Sequence, residues 1–361
     1  MSLTILNATE VVAQIDRFDT IIDARSESEF ALDHLPGAVN WPTLNDQERV
    51  LIGTMYVQVN QFEAKKRGAA IAARNIANHI ERNVIDKPKD WKPLAYCWRG
   101  GKRSGSLSLI LDQIGFRVTL VEGGYKAFRA AMLLDIARLV ERLNFMVVCG
   151  TTGSGKTRLL HALAASDAQV LDLEALASHR SSVLGAIPGR PQPSQKHFDS
   201  LVWDALRHFD PAHVVYVESE SKKVGNVAIP TALVECMRKS PCLDLTLPMD
   251  ERVSLLMEDY DFFVQDTAHF CDRLDVLTEM RGKVVVTAWK EQVMAGQIRG
   301  VVHELLCEHY DPVYLQSMQR NFSQYGQARS ISPDDRSRQA MQRLALQILS
   351  SSEAGTTTAQ I

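Results

Sequence analysis

Cys97 has the neighbours that nucleophilic chemistry requires. It ends an apolar run, Leu94–Cys97, that predicts a strand, and a glycine-rich cationic turn and a helical pattern follow it directly. The N-terminus of a helix carries partial positive charge and unpaired N–H groups, which bind anions and lower the pKa of a nearby thiol. The sequence therefore predicts a thiolate or persulfide nucleophile that attacks an anionic donor. The predicted anion loop around it comprises Trp98, Arg99, Gly100, Gly101, Lys102, Arg103 and Ser104.

A second glycine-rich loop follows the apolar run Phe145–Cys149 and precedes another helical pattern. Its spacing is that of the P-loop, and the strand–loop–helix order is the context that this motif needs. Backbone N–H groups would cradle a diphosphate, Lys156 would neutralise its charge and Thr157 would offer a ligand to Mg²⁺. The predicted phosphate-binding residues are Gly150, Thr151, Thr152, Gly153, Ser154, Gly155, Lys156 and Thr157.

Four carboxylates near predicted strand ends are candidate acidic partners of this loop. They are Asp172, Glu174, Glu218 and Glu220. Nucleotide hydrolysis needs such residues to hold the metal, whereas helix caps and surface ion pairs are the alternative role. The motif leaves open whether the loop binds a nucleotide or a diphosphate that is displaced rather than hydrolysed. We expect no resident metal, and Mg²⁺ stays optional.

Residues 62–103 form a strongly basic stretch, with eleven Lys or Arg against four acidic residues, in a chain whose formal net charge is −3. An acidic region, 244–279, balances it. The stretch leads into the cysteine loop and contains Trp91 and Trp98, which could stack bases, so RNA contact is favoured over a merely solvated face. The candidate contacts are Lys65, Lys66, Arg67, Arg74, Lys87, Lys89, Trp91 and Lys92.

The elements that must position these residues predict two α/β domains. We expect domain 1–137 to carry the cysteine loop, domain 138–349 to carry the P-loop, and 350–361 to be a flexible tail. One long, mostly helical stretch is predicted from Glu48 to about Arg82. Further strands are predicted at Thr20–Asp23, Gln169–Leu173, Val214–Glu218 and Val284–Thr287.

Composition excludes several classes of protein. A hydrophobic content of 45% supports folded cores and excludes global disorder. The apolar stretches are shorter than the roughly 20 residues that span a bilayer, and the first residues lack a signal-peptide pattern. We therefore expect a soluble cytoplasmic protein without membrane contact. The six cysteines form no disulfide framework, and the five besides Cys97 are expected to be small buried hydrophobes.

The N-terminal part resembles a rhodanese domain. The resemblance lies in IIDARSESEFALDHLPGAVNWP, YCWRGGKRS and VEGGYKAF. In that family the loop cysteine carries a transferable chalcogen. The first segment contains residues that match the family's scaffold and are interpreted as structural: Arg25, Glu29, Phe30, His34, Gly37, Ala38 and Asn40. Five residues separate Cys97 from Arg103, which makes a loop as roomy as that of the related cysteine phosphatases, so a phosphatase stays an alternative.

Both domains together are similar to the tRNA 2-selenouridine synthase family over nearly the whole chain. The further segments that carry this resemblance are LDLEALASHRSSVLG, RPQPSQKHFDSLVWDAL and VYVESESKKVGNVAIP. It implies a two-step reaction at the wobble 2-thiouridine of tRNA. Geranyl diphosphate first alkylates the sulfur, and selenium from selenophosphate then replaces the geranylthio group.

The resemblance also implies roles for both loops. Cys97 would carry or deliver selenium, its loop would hold selenophosphate, and the P-loop would hold the prenyl diphosphate. A selenophosphate-producing enzyme would supply the donor, no cofactor would be tightly bound, and the oligomeric state stays open. The alternatives are a rhodanese-type sulfurtransferase or cysteine phosphatase coupled to a nucleotide-binding P-loop domain, and a non-enzymatic RNA-binding module.

Overall fold

The computed structural model describes residues 3–182 and 184–357. The chain divides into two compact units, Met1–Arg138 with Pro193–Asp204, and Leu139–Gln192 with Ala205–Ile361. Each unit is built on a five-stranded parallel sheet flanked by helices, which confirms the predicted α/β class. The sequence analysis assigned the short segment 193–204 to the second domain, whereas it clusters with the first.

The first sheet has the strand order β1-β5-β4-β2-β3. Its strands are β1 (Thr4–Leu6), β2 (Thr20–Asp23), β3 (Ala38–Asn40), β4 (Pro93–Tyr96) and β5 (Thr119–Val121). The helices of this part are α1 (Ala8–Gln14), α2 (Glu27–Leu32), α3 (Asp46–Gln58), α4 (Gln61–Asn83), α5 (Lys102–Ile114) and α6 (Gly124–Arg142), with a 3₁₀ turn at Ile15–Arg17. Cys97 follows β4 directly, so it lies at the carboxyl edge of a central strand, where ligands bind parallel sheets.

The long helical stretch predicted from Glu48 is two helices rather than one. The break falls at Val59 and Asn60, between α3 and α4. The Asn60 side chain accepts hydrogen bonds from the backbone N–H groups of Phe62 and Glu63 at 2.8 and 3.0 Å. An asparagine in this position caps a new helix start and competes with continuation of the preceding helix.

The second sheet has the order β12-β11-β6-β8-β7 and is parallel throughout. Its strands are β6 (Asn144–Cys149), β7 (Gln169–Leu171), β8 (Val214–Glu218), β11 (Cys242–Leu245) and β12 (Arg329–Ile331), and β9 (Lys223–Val224) with β10 (Val227–Ala228) form a separate antiparallel pair. Val148 of β6 pairs with Glu218 of β8, which brings the P-loop and that carboxylate to the same sheet edge.

Helices surround this sheet and extend beyond it. They are α7 (Lys156–Ala164), α8 (Leu173–Ala177), α10 (Thr231–Met237), α11 (Met249–Asp259), α12 (Asp261–Gln265), α13 (Thr267–Leu274), α14 (Thr278–Arg281), α15 (Lys283–Met294), α16 (Ile298–Glu304), α17 (Asp311–Asn321) and α18 (Arg338–Thr357). The remaining helix, α9 (Gln195–Arg207), lies mostly in the segment that clusters with the first unit. Short 3₁₀ turns lie at Asp275–Leu277 and Tyr325–Gln327, and a π-helical segment at Leu305–Tyr310. Within the part of the chain described, none of the helices is both long and apolar enough to cross a bilayer.

The strand predicted at Val284–Thr287 is wrong, because these residues lie in α15. β-branched residues favour strands only weakly, and tertiary packing overrides that preference. Val286, Trp289 and Val293 recur at helical spacing, are all buried and pack in one apolar cluster with α13 and α16. The helix therefore gains a buried face that a strand at this place would lack.

The predicted tail is also shorter than expected. Helix α18 continues to Thr357, so residues 350–357 are helical, while 358–361 lie outside the described residues. Met341, Ala345 and Ile348 anchor this helix in the core of the second sheet. That buried stripe explains why the helix extends past Leu349.

All six cysteines are free thiols. Cys97, Cys149 and Cys242 are buried, and Cys236 and Cys271 are half-buried. The expectation of a buried hydrophobe is wrong for Cys307, which is exposed.

Candidate active sites

The cysteine loop is built by the end of β4 and the start of α5. Cys97 is only 3% exposed. Gly101 has a left-handed backbone (φ 71°) and begins α5. Gly124, at φ 60°, lies so close that a Cβ there would overlap the carbonyl oxygen of Cys97. The next residue, Tyr125, donates its backbone N–H to that same oxygen at 2.8 Å. These contacts fix the strand end at the backbone of Cys97.

Arg103 does not serve as a free cation of this loop. Its guanidinium forms a two-pronged ion pair with Glu29, at 2.7 Å from Nη1 to Oε2 and 3.3 Å from Nη2 to Oε1. Burial alone would raise the pKa of the Glu29 carboxyl, but the hydrogen bonds and charge of Arg103 bring it below its ordinary value. Glu29 therefore positions Arg103 beside the cysteine loop, and the anion-binding role of Arg103 stays a prediction. Arg99 and Lys102 are exposed.

Ser104 contributes a polar group to the first turn of α5. The residue is 1% exposed, and its Oγ has no hydrogen-bond partner among the described residues. A buried hydroxyl without a partner costs free energy that a bound ligand can recover. Ser104 therefore fits the predicted anion loop.

The predicted scaffold residue Arg25 lies in a buried network behind this loop. It is 1% exposed and binds both carboxylate oxygens of Asp23, at 3.0 Å from Nε and 2.6 Å from Nη2. Tyr96 donates its hydroxyl to the same carboxylate at 2.7 Å. Arg25 also lies over the Tyr125 ring, 4.0 Å from the centroid. These contacts give Arg25 a structural role.

Lys196, which the sequence analysis did not assign, adds a cation beside the loop. It lies in α9, within the segment that clusters with the first unit. Its ammonium is 5.8 Å from the centre of the Trp98 ring, and Trp98 stacks on Tyr125 at 5.5 Å. Arg129 fixes this part of α9 by an ion pair with Asp199 at 2.6 Å. The only sequence signal was the segment RPQPSQKHFDSLVWDAL, which gave no position for the lysine.

The P-loop connects β6 to α7 as predicted. Gly150, Gly153 and Gly155 all have positive φ angles, which let the backbone curl around an anion. Lys156 donates from Nζ to the carbonyl oxygen of Gly150 at 2.6 Å. The backbone N–H of Gly150 donates to the hydroxyl of Tyr314, also at 2.6 Å. The Lys156 ammonium is thus held at the loop where it is predicted to neutralise a bound diphosphate.

Arg252 of α11 supports the P-loop from outside. Its Nε and Nη2 donate to the carbonyl oxygen of Thr152 at 3.0 and 2.8 Å, and its guanidinium pairs with Asp311 at 2.6 Å. The arginine lies almost a hundred residues from the loop in sequence. No local pattern could reveal this contact.

A cavity of about 1400 Å³ opens over the P-loop. Its lining includes Lys156, Thr157 and Glu220, and also four arginines that the sequence analysis did not assign: Arg158, Arg180, Arg336 and Arg338. Arg158 and Arg336 are both paired with Glu258, at 3.0 and 2.7 Å. The lining also holds five carboxylates: Glu174, Glu220, Glu258, Asp259 and Asp335. The P-loop with Lys156 is therefore the part of the cavity that suits a diphosphate.

The four candidate carboxylates have different roles. Asp172 caps α8 by accepting from the backbone N–H of Ala175 at 2.8 Å, so the alternative role as a cap applies to it. Glu174 accepts a hydrogen bond from the Thr157 hydroxyl at 3.4 Å. Glu218 accepts one from the backbone N–H of Glu174 at 2.8 Å, and its other oxygen is buried with no partner in residues 3–182 and 184–357.

Burial and mutual repulsion raise the pKa values of Glu218 and Glu220. Desolvation and the charges of Asp172, Glu220 and Glu174 raise the pKa of Glu218 well above its usual range. Desolvation and the charge of Glu174 raise the pKa of Glu220 to about 8. No group of three or more His, Cys, Asp or Glu with metal-binding geometry occurs in residues 3–182 and 184–357. The half-buried Glu174, which accepts a hydrogen bond from the Thr157 hydroxyl, is the carboxylate placed nearest to a Mg²⁺ that would bind with a diphosphate.

The basic stretch forms an exposed surface on α4 and the following loop. Every Lys and Arg among its candidate contacts is exposed. Trp91 is different: it is 3% exposed, donates from Nε1 to Thr20 at 3.0 Å and packs against Phe116. Its predicted role in stacking a base is therefore wrong, because the ring belongs to the core. Trp98 is 38% exposed and stays available.

Comparisons with known proteins define the class first. Residues 7–131 match the Rhodanese-like domain, and residues 143–284 match the tRNA 2-selenouridine synthase AAA domain. A rhodanese-related protein of Thermoplasma volcanium is similar at 18% identity, over 35% of this chain and 89% of that chain, with a TM-score of 0.23. The two family matches define a rhodanese-like unit followed by a unit of the tRNA 2-selenouridine synthase AAA type.

Relatives with similar sequences then show the family. The chain is 37% identical to the tRNA 2-selenouridine synthase of Nitrosomonas europaea over 66% of this chain and 63% of the relative. It is 32% identical to that of Sulfurovum sp. over 84% of this chain and 90% of the relative. The chain belongs to the tRNA 2-selenouridine synthase family.

Proposed function

We propose that this protein converts wobble 2-thiouridine of tRNA to 2-selenouridine, with geranyl diphosphate and selenophosphate as co-substrates. Membership of the tRNA 2-selenouridine synthase family is the observation that carries the proposal. The two loops support it, since Cys97 precedes a glycine turn at the start of α5 and Lys156 stands in a P-loop. The exposed lysines and arginines of α4 supply a surface that would attract the phosphate backbone of tRNA.

The first step is alkylation of the thiocarbonyl sulfur. The sulfur attacks C1 of the geranyl chain, the C1–O bond breaks, diphosphate leaves and the base loses the proton of N3. Lys156 and the N–H groups of the P-loop stabilise the charge that grows on the departing diphosphate. Alkylation makes C2 of the base more electrophilic and turns a poor leaving group into a thiolate. This step therefore prepares the exchange of sulfur for selenium.

The second step replaces the geranylthio group. Selenide adds to C2, the C–S bond breaks and the sulfur leaves as geranylthiol after it takes a proton. Cys97 delivers the selenium when its thiolate attacks the phosphorus atom of selenophosphate. The P–Se bond then breaks and selenide is released. The phosphoryl group stays on the Cys97 sulfur until water hydrolyses it. Attack on selenium instead would require phosphorus to be reduced. A loop of phosphatase length suits attack on phosphorus.

Mass spectrometry of nucleosides tests the proposal. A tRNA with 2-thiouridine is incubated with the protein, geranyl diphosphate and selenophosphate, and each donor is omitted in turn. We expect S-geranyl-2-thiouridine with geranyl diphosphate alone and 2-selenouridine with both donors. Unchanged 2-thiouridine under all conditions would contradict the proposal and favour a sulfurtransferase or phosphatase with a nucleotide at the P-loop.

A further inference from the structure

A second, apolar cavity opens beside the P-loop. It measures about 60 Å³, and its walls come from α11, α12, α13, α16 and the π-helical segment. Six of its lining residues are Leu184, Met257, Phe263, Phe270, Val302 and Leu306. Among the residues that the structure describes, no charged side chain lines it. Such a cavity favours a hydrocarbon, because any polar ligand group inside it would lose its hydrogen bonds to water without replacement.

The apolar cavity adjoins the large cavity over the P-loop. Thr152, Ser182, Leu256, Tyr260 and Tyr310 line both. Thr152 belongs to the phosphate-binding loop itself. A ligand with an anionic group at Lys156 and an apolar chain could therefore occupy both cavities at once. A nucleotide would not gain from the apolar cavity, since a base needs partners for its polar edge.

The walls between the two cavities show the same change from polar to apolar. The guanidinium of Arg180 lies 4.5 Å from the centre of the Tyr260 ring, on the side of the large cavity. Tyr260 stacks with Phe263 at 5.9 Å, and Phe263 with Phe270 at 4.9 Å, on the side of the apolar cavity. The contacts thus run from a cation, Arg180, through Tyr260 to two phenylalanines of the apolar cavity.

We propose that this apolar cavity binds the distal isoprene unit of the prenyl diphosphate and thereby selects the chain length. The inference rests on the proposed function, in which the P-loop holds a prenyl diphosphate. A water-sized group needs about 10–15 Å³ of such space, so 60 Å³ accommodates roughly one five-carbon unit. A ten-carbon chain would place its first unit between the tyrosines and its second in the cavity.

Equilibrium binding tests the inference independently of catalysis. Calorimetry compares geranyl diphosphate, dimethylallyl diphosphate and inorganic diphosphate. We expect geranyl diphosphate to bind at least about tenfold more tightly than the five-carbon compound, because small changes in buried hydrocarbon have effects of this size. Val302→Phe should fill the cavity and reduce that ratio to below about threefold. The affinity of the Val302→Phe variant for inorganic diphosphate should equal that of the wild type.

Two further variants complete the design. Val284→Phe is the matched control, since Val284 is 85% exposed on α15 and does not line the cavity. Met257→Ala enlarges the cavity and should improve binding of the fifteen-carbon farnesyl diphosphate relative to geranyl diphosphate. If Val302→Phe does not fold, Met257→Ala alone tests the assignment of the cavity to the prenyl chain. A wild-type protein that binds geranyl and inorganic diphosphate equally, or variants that leave the ratios unchanged, would overturn the inference.

The outcomes separate this inference from the proposed function. If geranyl diphosphate binds with the expected ratios but tRNA is not geranylated, the cavity assignment stands and the proposed reaction fails. If tRNA is geranylated but the ratios do not respond to Val302→Phe and Met257→Ala, the reaction stands and the cavity assignment fails.

Discussion

Arg103 and Glu29 form a two-pronged ion pair at the start of the helix that follows Cys97, with contacts of 2.7 and 3.3 Å. The pair is partly buried, since the side chains are 21% and 15% exposed. It ties the first turn of α5 to α2. The arginine that the motif offers as an anion ligand is thus held by an acidic partner. Arg99 and Lys102 are exposed beside it, and Lys196 lies near Trp98.

Breaking this pair should loosen the loop and change the pH dependence of stability. A carboxyl with a pKa lowered on folding stabilises the fold above its unfolded pKa, and this stability is lost as pH falls through the folded pKa. Glu29→Gln should therefore reduce the free energy of unfolding by about 1 kcal/mol at pH 7 and flatten its decrease toward acidic pH. Urea unfolding measures both.

Glu81→Gln is the control for that measurement, because Glu81 is exposed on α4. Selenation should also fall in Glu29→Gln, while binding of diphosphate at the P-loop should not. Equal unfolding curves for Glu29→Gln and wild type between pH 3 and 7 would show that the ion pair does not stabilise the loop.

Lys196 should assist binding of the anionic donor. Lys196 is half-buried, and loss of one cation beside an aromatic ring is worth about 0.5–1 kcal/mol. Lys196→Ala should therefore raise KM for selenophosphate about two- to fivefold and leave kcat unchanged. The effect should shrink at high salt, since exposed charges are screened. Lys223→Ala, an exposed lysine of β9, serves as the control. A fall in kcat with constant KM would assign Lys196 a different role.

Glu220 should make the protein less stable as pH rises. Its pKa is raised on folding to about 8, so between about pH 4.5 and 8 the folded state keeps a proton that the unfolded chain releases. Glu220→Gln should flatten this decrease in part and be more stable than wild type at pH 8, by on the order of a few kcal/mol. Thermal unfolding from pH 5 to 8.5 measures it, with exposed Glu235→Gln as control. Parallel pH profiles would contradict the prediction.

The parts of both sites that sequence could predict are local ones. The strand, loop and helix around Cys97 and around Lys156 follow one another directly, so their residue types determine the structure. Arg252 and Tyr314 contact the P-loop from about a hundred and more residues away, and Lys196 reaches Trp98 across a similar distance in sequence. Such contacts depend on the tertiary fold and leave no local pattern.

Burial was the second property that local patterns did not reveal. Trp91 lies in a basic, polar stretch and yet belongs to the core, where it contacts Phe116 and Trp41. The run at Val284–Thr287 has strand-forming residues, but Val286 and its neighbours at helical spacing pack better as part of α15. In both places the partners that decide the structure are distant in sequence.

The P-loop should act in geranylation of the tRNA, and the cysteine loop should act in the later delivery of selenium. Cys97→Ala should still geranylate the tRNA and form no 2-selenouridine, because only selenium delivery needs the thiolate. Lys156→Ala should form little of either product, because weaker binding of the prenyl diphosphate blocks the first step. Exposed Lys239→Ala is the control and should match wild type.

Mass spectrometry of nucleosides from 2-thiouridine tRNA incubated with each variant and both donors is the most direct test. We expect S-geranyl-2-thiouridine to accumulate with Cys97→Ala and 2-thiouridine to persist with Lys156→Ala. Normal formation of 2-selenouridine by Cys97→Ala, or undiminished geranylation by Lys156→Ala, would contradict the assignment of the two loops to separate steps.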